Sequence, residues 1–256
     1  MASPTDRPKR FYKTATTGAL DGGFAVLLDG RPPRSPAGAR LILPTQGLAQ
    51  LIAAEWAAQT LTVALDHMPA TRLAYTAIDR IAAARPETVQ EIVGYANADL
   101  LCYRAPAPAT LTDRQAREWD PLLDWAREAL GLGFASVAGV IHQPQAEATL
   151  DGVARIAEAM DDFALAGLAY ATVLFGSAIL ALAVARGRLT AQGAFDLSRL
   201  DEAFQEQQWG VDAEAAERTA RRRGEAKMIG AWFEALGNPS PIEAIGFTHL
   251  GITGLR

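Results

Sequence analysis

The chain has 256 residues, half of them hydrophobic, with 24 Lys and Arg against 29 Asp and Glu and a single cysteine, Cys102. That is enough apolar material for one large or two modest cores, and a lone cysteine excludes a disulfide framework within the chain and fits a reducing compartment. The net charge of −5 is uneven: residues 1–40 carry seven Lys/Arg against three Asp/Glu, which leaves an acidic main body and argues against nucleic acid as the main partner.

The opening Met1–Arg10 has no apolar run, so it does not read as a secretory signal, and it is too short and proline-interrupted for a transit peptide. Residues 10–44 read as strands. Arg10–Thr14 leads to a turn over Leu20–Gly23, Phe24–Leu28 has the character of a buried strand, Asp29–Pro33 turns again, and Leu41–Leu43 closes the set. Thr45 is placed to cap a helix whose Leu48, Leu51, Ile52 and Trp56 share one face. Leu61–Leu65 reads as a possible strand, Met68-Pro69 opens a helix, and Pro86 begins another that turns Val89, Ile92, Val93 and Ala96 inward. Pro106-Ala107-Pro108 is the best linker in the chain, and the domain boundary is placed there.

Beyond the linker the pattern is almost wholly helical. Asp120-Pro121 is read as the cap of a helix ending at Gly131. A brief extended segment is expected over 134–141 and a helix over 146–160. The central feature is Phe163–Ala185, which carries no charged side chain, follows Asp161-Asp162 and precedes Arg186-Gly187. As one helix it would span roughly 34 Å, enough for a bilayer. Gly167, Tyr170, Thr172, Gly176 and Ser177 dilute it, however, and no basic cluster or aromatic belt marks its ends. It is therefore read as the buried central helix of a bundle, ahead of a membrane span and of two shorter helices broken near Gly167 or Gly176. Thr190 caps a helix running through Phe195 and Leu200 towards Trp209-Gly210. A last long helix covers about 212–235, and Asn238–Pro241 releases a short apolar tail.

Enzyme signatures are sparse. There is no phosphate loop or dinucleotide fingerprint, His67, His142 and His249 are scattered, and Ser177 lacks a Gly-x-Ser-x-Gly elbow and is read as a packing residue. Asp161-Asp162 reads more simply as a capping pair than as an acid/base dyad. Arg218, Arg221, Arg222, Arg223 and Lys227, interleaved with Glu214, Glu217 and Glu225, read as an ion-paired helix face. Three stretches have more texture than packing needs: Trp119-Asp120-Pro121, already read as a cap, and two more. Thr71, Arg72, Tyr75 and Asp79 line one helix and read first as the ordinary polar side of a surface helix. In Leu200–Gly210 the first reading makes Phe204 and Trp209 core anchors and Gly210 a helix cap, and the second makes its acidic and amide groups beside an aromatic an edge for docking a protein.

Several motifs in order carry a resemblance: Arg10-Phe11-Tyr12-Lys13, Leu28–Pro32, Leu43-Pro44-Thr45, Glu55-Trp56 with Gln59, Met68-Pro69 with Thr71-Arg72-Leu73 and Thr76–Asp79, Asp99–Arg104, Trp119-Asp120-Pro121, Gly176-Ser177, and Glu202–Gln205 with Trp209-Gly210. Together they resemble the assembly chaperones for the α subunit of F-type ATP synthase, the ATP synthase complex assembly factor 2 family. Ala70 departs from the pattern, which expects a larger apolar residue there. The resemblance implies an α+β chain with a small N-terminal α/β domain (1–107) of short antiparallel strands and helices, then an all-α domain (108–256) around an apolar central helix. It implies a chaperone without catalysis, cofactor or metal that binds the unassembled α subunit and shields the face later met by β. Stable membrane insertion is not expected, and the location is cytoplasmic, or the mitochondrial matrix for a eukaryotic source. Glu202, Gln205, Glu206 and Trp209 are the partner-facing candidates, with Arg72 and Asp79 next, while Trp56 and Trp119 are expected to support the fold. The alternative is a small-molecule enzyme, which would need a deep pocket with converging titratable groups.

Overall fold

In the computed structural model residues 7–237 are described. A three-stranded antiparallel sheet begins the fold: β1 (Ala15–Leu20), β2 (Gly23–Leu28) and β3 (Ile42–Leu43), in the order β1-β2-β3. Asp21 and Gly22 both have positive φ (50° and 80°), which is what a tight two-residue hairpin turn needs, and they fix the register from Leu20↔Gly23 to Ala15↔Leu28.

The strand expected over Arg10–Thr14 does not form, because its donors are used elsewhere. Arg10 N–H donates to Leu61 O, and the Lys13 and Thr14 amides donate to the Asp29 carboxylate, with Thr14 N–H···Oδ1 at 2.8 Å. These bonds hold the Asp29 carboxyl below the usual carboxylate range. The strand expected over Leu61–Leu65 reduces to a single bridge, Lys9 to Thr62, followed by a 3₁₀ turn at Leu65–His67.

Helix α1 (Gln46–Ala57) starts at Thr45, whose Oγ1 accepts from Leu48 N–H, and packs Leu48, Ile52 and Trp56 beneath the sheet. Next comes α2 (Pro69–Thr76), which continues into a π-helical turn at Ala77–Ile81, and then α3 (Arg85–Asn97). The start of α2 is held from α1: both Glu55 carboxylate oxygens accept from Ala70 and Thr71, at 2.7–2.8 Å. Ala70 itself is fully buried. A 3₁₀ turn at Leu100–Cys102 leads to β4 (Tyr103–Arg104), which pairs in parallel with β5 (Val137–Ala138).

The helical part comprises α4 (Ala109–Leu130), α5 (Glu147–Glu158), α6 (Asp162–Phe175), α7 (Ala178–Ala185), α8 (Ala191–Ser198), α9 (Leu200–Trp209) and α10 (Ala213–Ala235). Three sequence expectations change here. Asp120-Pro121 caps nothing and lies inside the continuous α4. Trp119 points inward and donates to Leu197 O, Asp120 pairs with Arg104, and Pro121 sits on the exposed side, where solvent can reach the carbonyl that loses its helical donor. The helix expected from Thr190 to Trp209 breaks at Arg199 into α8 and α9.

The apolar stretch is two helices, not one. Gly176 takes the left-handed conformation (φ 65°) and ends α6, and Ser177 turns extended to cap α7 through Leu180 N–H. Asp99, fully buried, completes the break by accepting from Ser177 Oγ (2.7 Å), Ile179 N–H and Leu101 N–H (each 3.1 Å). Ser177 is therefore a cap and a donor as well as a packing residue. Helix α7 is buried on every side, against α3, α4, α6 and α8. The core continues from Val26 and Leu43 through α6 and α7 to Trp232 and Phe233 of α10, whose end meets α1 where Thr45 Oγ1 donates to Ala235 O. The Asn238–Pro241 tail and His249 lie outside the described residues.

Candidate functional site

Helix α9 carries four of the sequence candidates at spacings of three and four residues, so they share one stripe. Glu202 and Gln205 are exposed, and Trp209 is 77% exposed, with Val211 half-exposed just beyond it. Of the two expected core anchors only Phe204 packs against the core; Trp209 does not, standing at the helix end beyond the reach of the bundle. Glu206 is different: its carboxylate turns back to Arg199 at 2.5 Å, and the pair is largely shielded. It braces the α8–α9 corner. The one fully buried residue of α9 is Leu200, so most of the helix surface is left for other contacts.

What fixes α9 is a polar node that the sequence reading did not single out. Buried Gln115 on α4 donates to Asp201 Oδ1 (2.7 Å) and accepts from Ala105 N–H (2.8 Å). Arg104 donates to Gln115 O (2.8 Å), pairs with Asp120 (2.7 Å) and lies over the Trp119 ring. Burial pulls the Arg104 guanidinium below its ordinary pKa, against the opposing pull of Asp120. The Asp99–Arg104 and Trp119–Pro121 motifs thus meet at the root of α9. They are brought together where the chain leaves β4 and turns back along the unbroken α4, so that Arg104 and Ala105 meet Gln115 and Asp120.

Arg72 and Asp79 form a second patch. Arg72 is exposed on α2, while Asp79, in the π turn, accepts from Ser35 Oγ (2.5 Å) and Ala37 N–H (3.0 Å) and so ties the 33–40 loop to the helix. Helix α9 packs on α4, whereas α2 packs on α1, α6 and α10. Trp56 and Trp119 are both core residues, 4% and 1% exposed. The Arg218–Lys227 run is in part paired, Arg218 with Glu214 and Arg223 with Asp196. Among the described residues, no group of three or more His, Cys, Asp or Glu is placed to hold a metal, and no helix is long and apolar enough to cross a membrane.

With this α+β framework in hand, comparison with known proteins gives the class first: the chain is a chaperone by kinship. A family model described as the ATP12 chaperone protein matches residues 9–127. The crystal structure of Atp12 from Paracoccus denitrificans is similar with a TM-score of 0.84 at 39% identity, covering 89% of this chain and 98% of that one. A second crystal structure, of an Agrobacterium tumefaciens protein, is similar with the same score at 43% identity, over 90% and 86% of the two chains. The mitochondrial protein atp12 of Schizosaccharomyces pombe is 26% identical over 231 residues, 84% of this chain and 79% of that protein. The chain belongs to the ATP12 chaperone family.

Proposed function

We propose that this ATP12-family chaperone assists assembly of the F1 sector of ATP synthase by binding the unassembled α subunit and covering the surface that later meets the β subunit. The observation that carries the reading is the stripe on α9, where an exposed tryptophan stands among exposed polar side chains on a helix that buries only Leu200 fully. An aromatic anchor with a polar rim suits a surface that must grip another protein and still let it go when a better partner arrives. In this reading the 1–107 domain contributes Arg72, with Asp79 holding the π turn beside it, and the 108–256 domain contributes Glu202, Gln205 and Trp209 with Glu206 holding the corner. The site of action is the cytoplasm of a bacterium or the matrix of a mitochondrion.

The test is a pull-down with isolated α subunit. Wild type should retain α. Glu202→Lys and Trp209→Ala should each lose at least about tenfold in affinity, as expected for interface anchors, with the circular dichroism spectrum unchanged. Retention of α at wild-type strength by both variants would remove α9 from the interface.

A further inference from the structure

Two open cavities, of about 880 and 700 Å³, lie side by side along α2, the π turn and α3, with α6 and α10 opposite. Leu73, Thr76, Arg80 and Tyr170 line both, so the two make one groove. Its apolar surface is partly open to solvent: Leu65 at one cavity is 40% exposed, and Val173 at the other 48%.

The π turn decides where the charges of this groove stand. In an unbroken α-helix eight residues make about 2.2 turns, which would carry Arg80 some 80° round from Arg72. Here one α turn is followed by one wider i→i+5 turn of about 4.4 residues, and together they come to about eight residues. Arg80 therefore stands nearly in line with Arg72, roughly 11 Å along the axis, with Thr76 between them.

Most carboxylates that line the groove are engaged. Asp79 holds Ser35 and Ala37, Asp66 pairs with Arg7 at 2.7 Å, and Glu225 accepts a hydrogen bond from Tyr170. Arg222 donates to Leu174 O, and Glu91 on α3 remains open. Among the described residues neither Arg72 nor Arg80 has a carboxylate partner, in a chain whose net charge is −5.

We propose that this groove receives an apolar segment of the client that carries two carboxylates, spaced to meet Arg72 and Arg80. On an extended segment, residues four apart lie on one face about 13 Å from each other, close to the spacing of the two arginines. The inference rests on the reading of the chain as an α-subunit chaperone and gives the bound segment a chemistry. It is a contact additional to α9.

The test places a photo-crosslinking benzoylphenylalanine at position 76, irradiates the complex with purified unassembled α subunit, and maps the linked peptide by mass spectrometry. In parallel, α affinity is measured for Arg72→Ala/Arg80→Ala and for Arg72→Lys/Arg80→Lys. The linked peptide should be apolar with at least two Asp or Glu. The double alanine variant should bind about tenfold more weakly at low salt, with the difference shrinking as salt is added, and the lysine pair should recover most of the loss. If wild type binds α but the alanine pair binds equally well, the groove proposal falls and the α9 reading stands. A linked α segment free of acidic residues, or a cross-link to residues 238–256 of the chaperone itself, overturns it in the same way. If wild type does not bind α at all, both fall.

Discussion

Asp99 offers a test of how the apolar stretch is divided. Its carboxyl is fully buried, and burial pushes its pKa from 3.8 up to about 6, against the bonds from Ser177, Ile179, Leu101 and Ala178 that favour the ionised form. The folded protein therefore holds a proton on Asp99 at a pH where the unfolded chain has released it. Stability from this group is fully present below about pH 4, and it is lost as the pH rises through about 6. A rise from 3.8 to about 6 corresponds to about 3 kcal/mol in all, of which about 2 kcal/mol falls between pH 4 and pH 7. Asp99→Asn removes the titration. The amide keeps an acceptor for Ser177 but turns an N–H towards Ile179 N–H, at a cost of about 1–3 kcal/mol. Urea unfolding of both proteins, followed by far-UV circular dichroism at about pH 4, 5, 6 and 7, gives the stability gap at each pH. Wild type should lead by most at the acid end, and the gap should narrow by about 2 kcal/mol towards neutrality. A gap that stays level across this window would refute the assignment of Asp99 as a buried, proton-holding pin.

Two other substitutions test the packing. Trp56→Ala should cost about 3–5 kcal/mol, because the indole is 4% exposed and packs edge-on against Tyr12, whose hydroxyl donates to Trp56 O; thermal unfolding measures it. Gly167→Ala should cost about 1–3 kcal/mol despite the higher helix propensity of alanine. A Cβ there would sit 2.8 Å from Trp232 Nε1 and 2.9 Å from its Cδ1, and a variant as stable as wild type would mean that α6 and α10 are not held this close.

Where the sequence was legible, the cause was local. Asp21-Gly22 announces its hairpin, Thr45, Asp161 and Thr190 cap the helices they precede, and Trp56 reads as core from its apolar neighbours, whereas Trp119 is assigned to the fold only through the family resemblance. Where it misled, a distant group had taken over a local decision. Arg10–Thr14 looks like a strand until Asp29 claims its amides, and Trp119-Asp120-Pro121 looks like a cap until Arg104 and Leu197 fix its side chains. Hydrophobicity alone makes Phe163–Ala185 one rod, since no charge interrupts it. The break needs the left-handed Gly176 together with a carboxylate from almost eighty residues earlier in the chain, which no window of sequence contains. The candidate residues on α9 were legible as a stripe, but the pairing of Glu206 with Arg199 and the node beneath Asp201 depend on contacts between α4, β4 and α9.

The placement of α9 bears on how such a surface can change without harm to the fold. Its attachment rests on Leu200 and Phe204, the Gln115–Asp201 bond and the Arg199–Glu206 pair, and none of these involves Glu202, Gln205 or Trp209. The exposed stripe is thus energetically separate from the α6–α7 core, and substitutions on it should shift folding stability by no more than about 0.5 kcal/mol. The groove beside α2 obeys the same logic from the other direction. Its arginines are exposed, but the π turn that aligns them is held by buried Ala77 and Ile81 and by Asp79 reaching across to the 33–40 loop. Asp79 is then a positioning residue for Arg80. Its replacement would act on binding by letting the turn relax towards an ordinary α-helix, which would carry Arg80 out of line with Arg72.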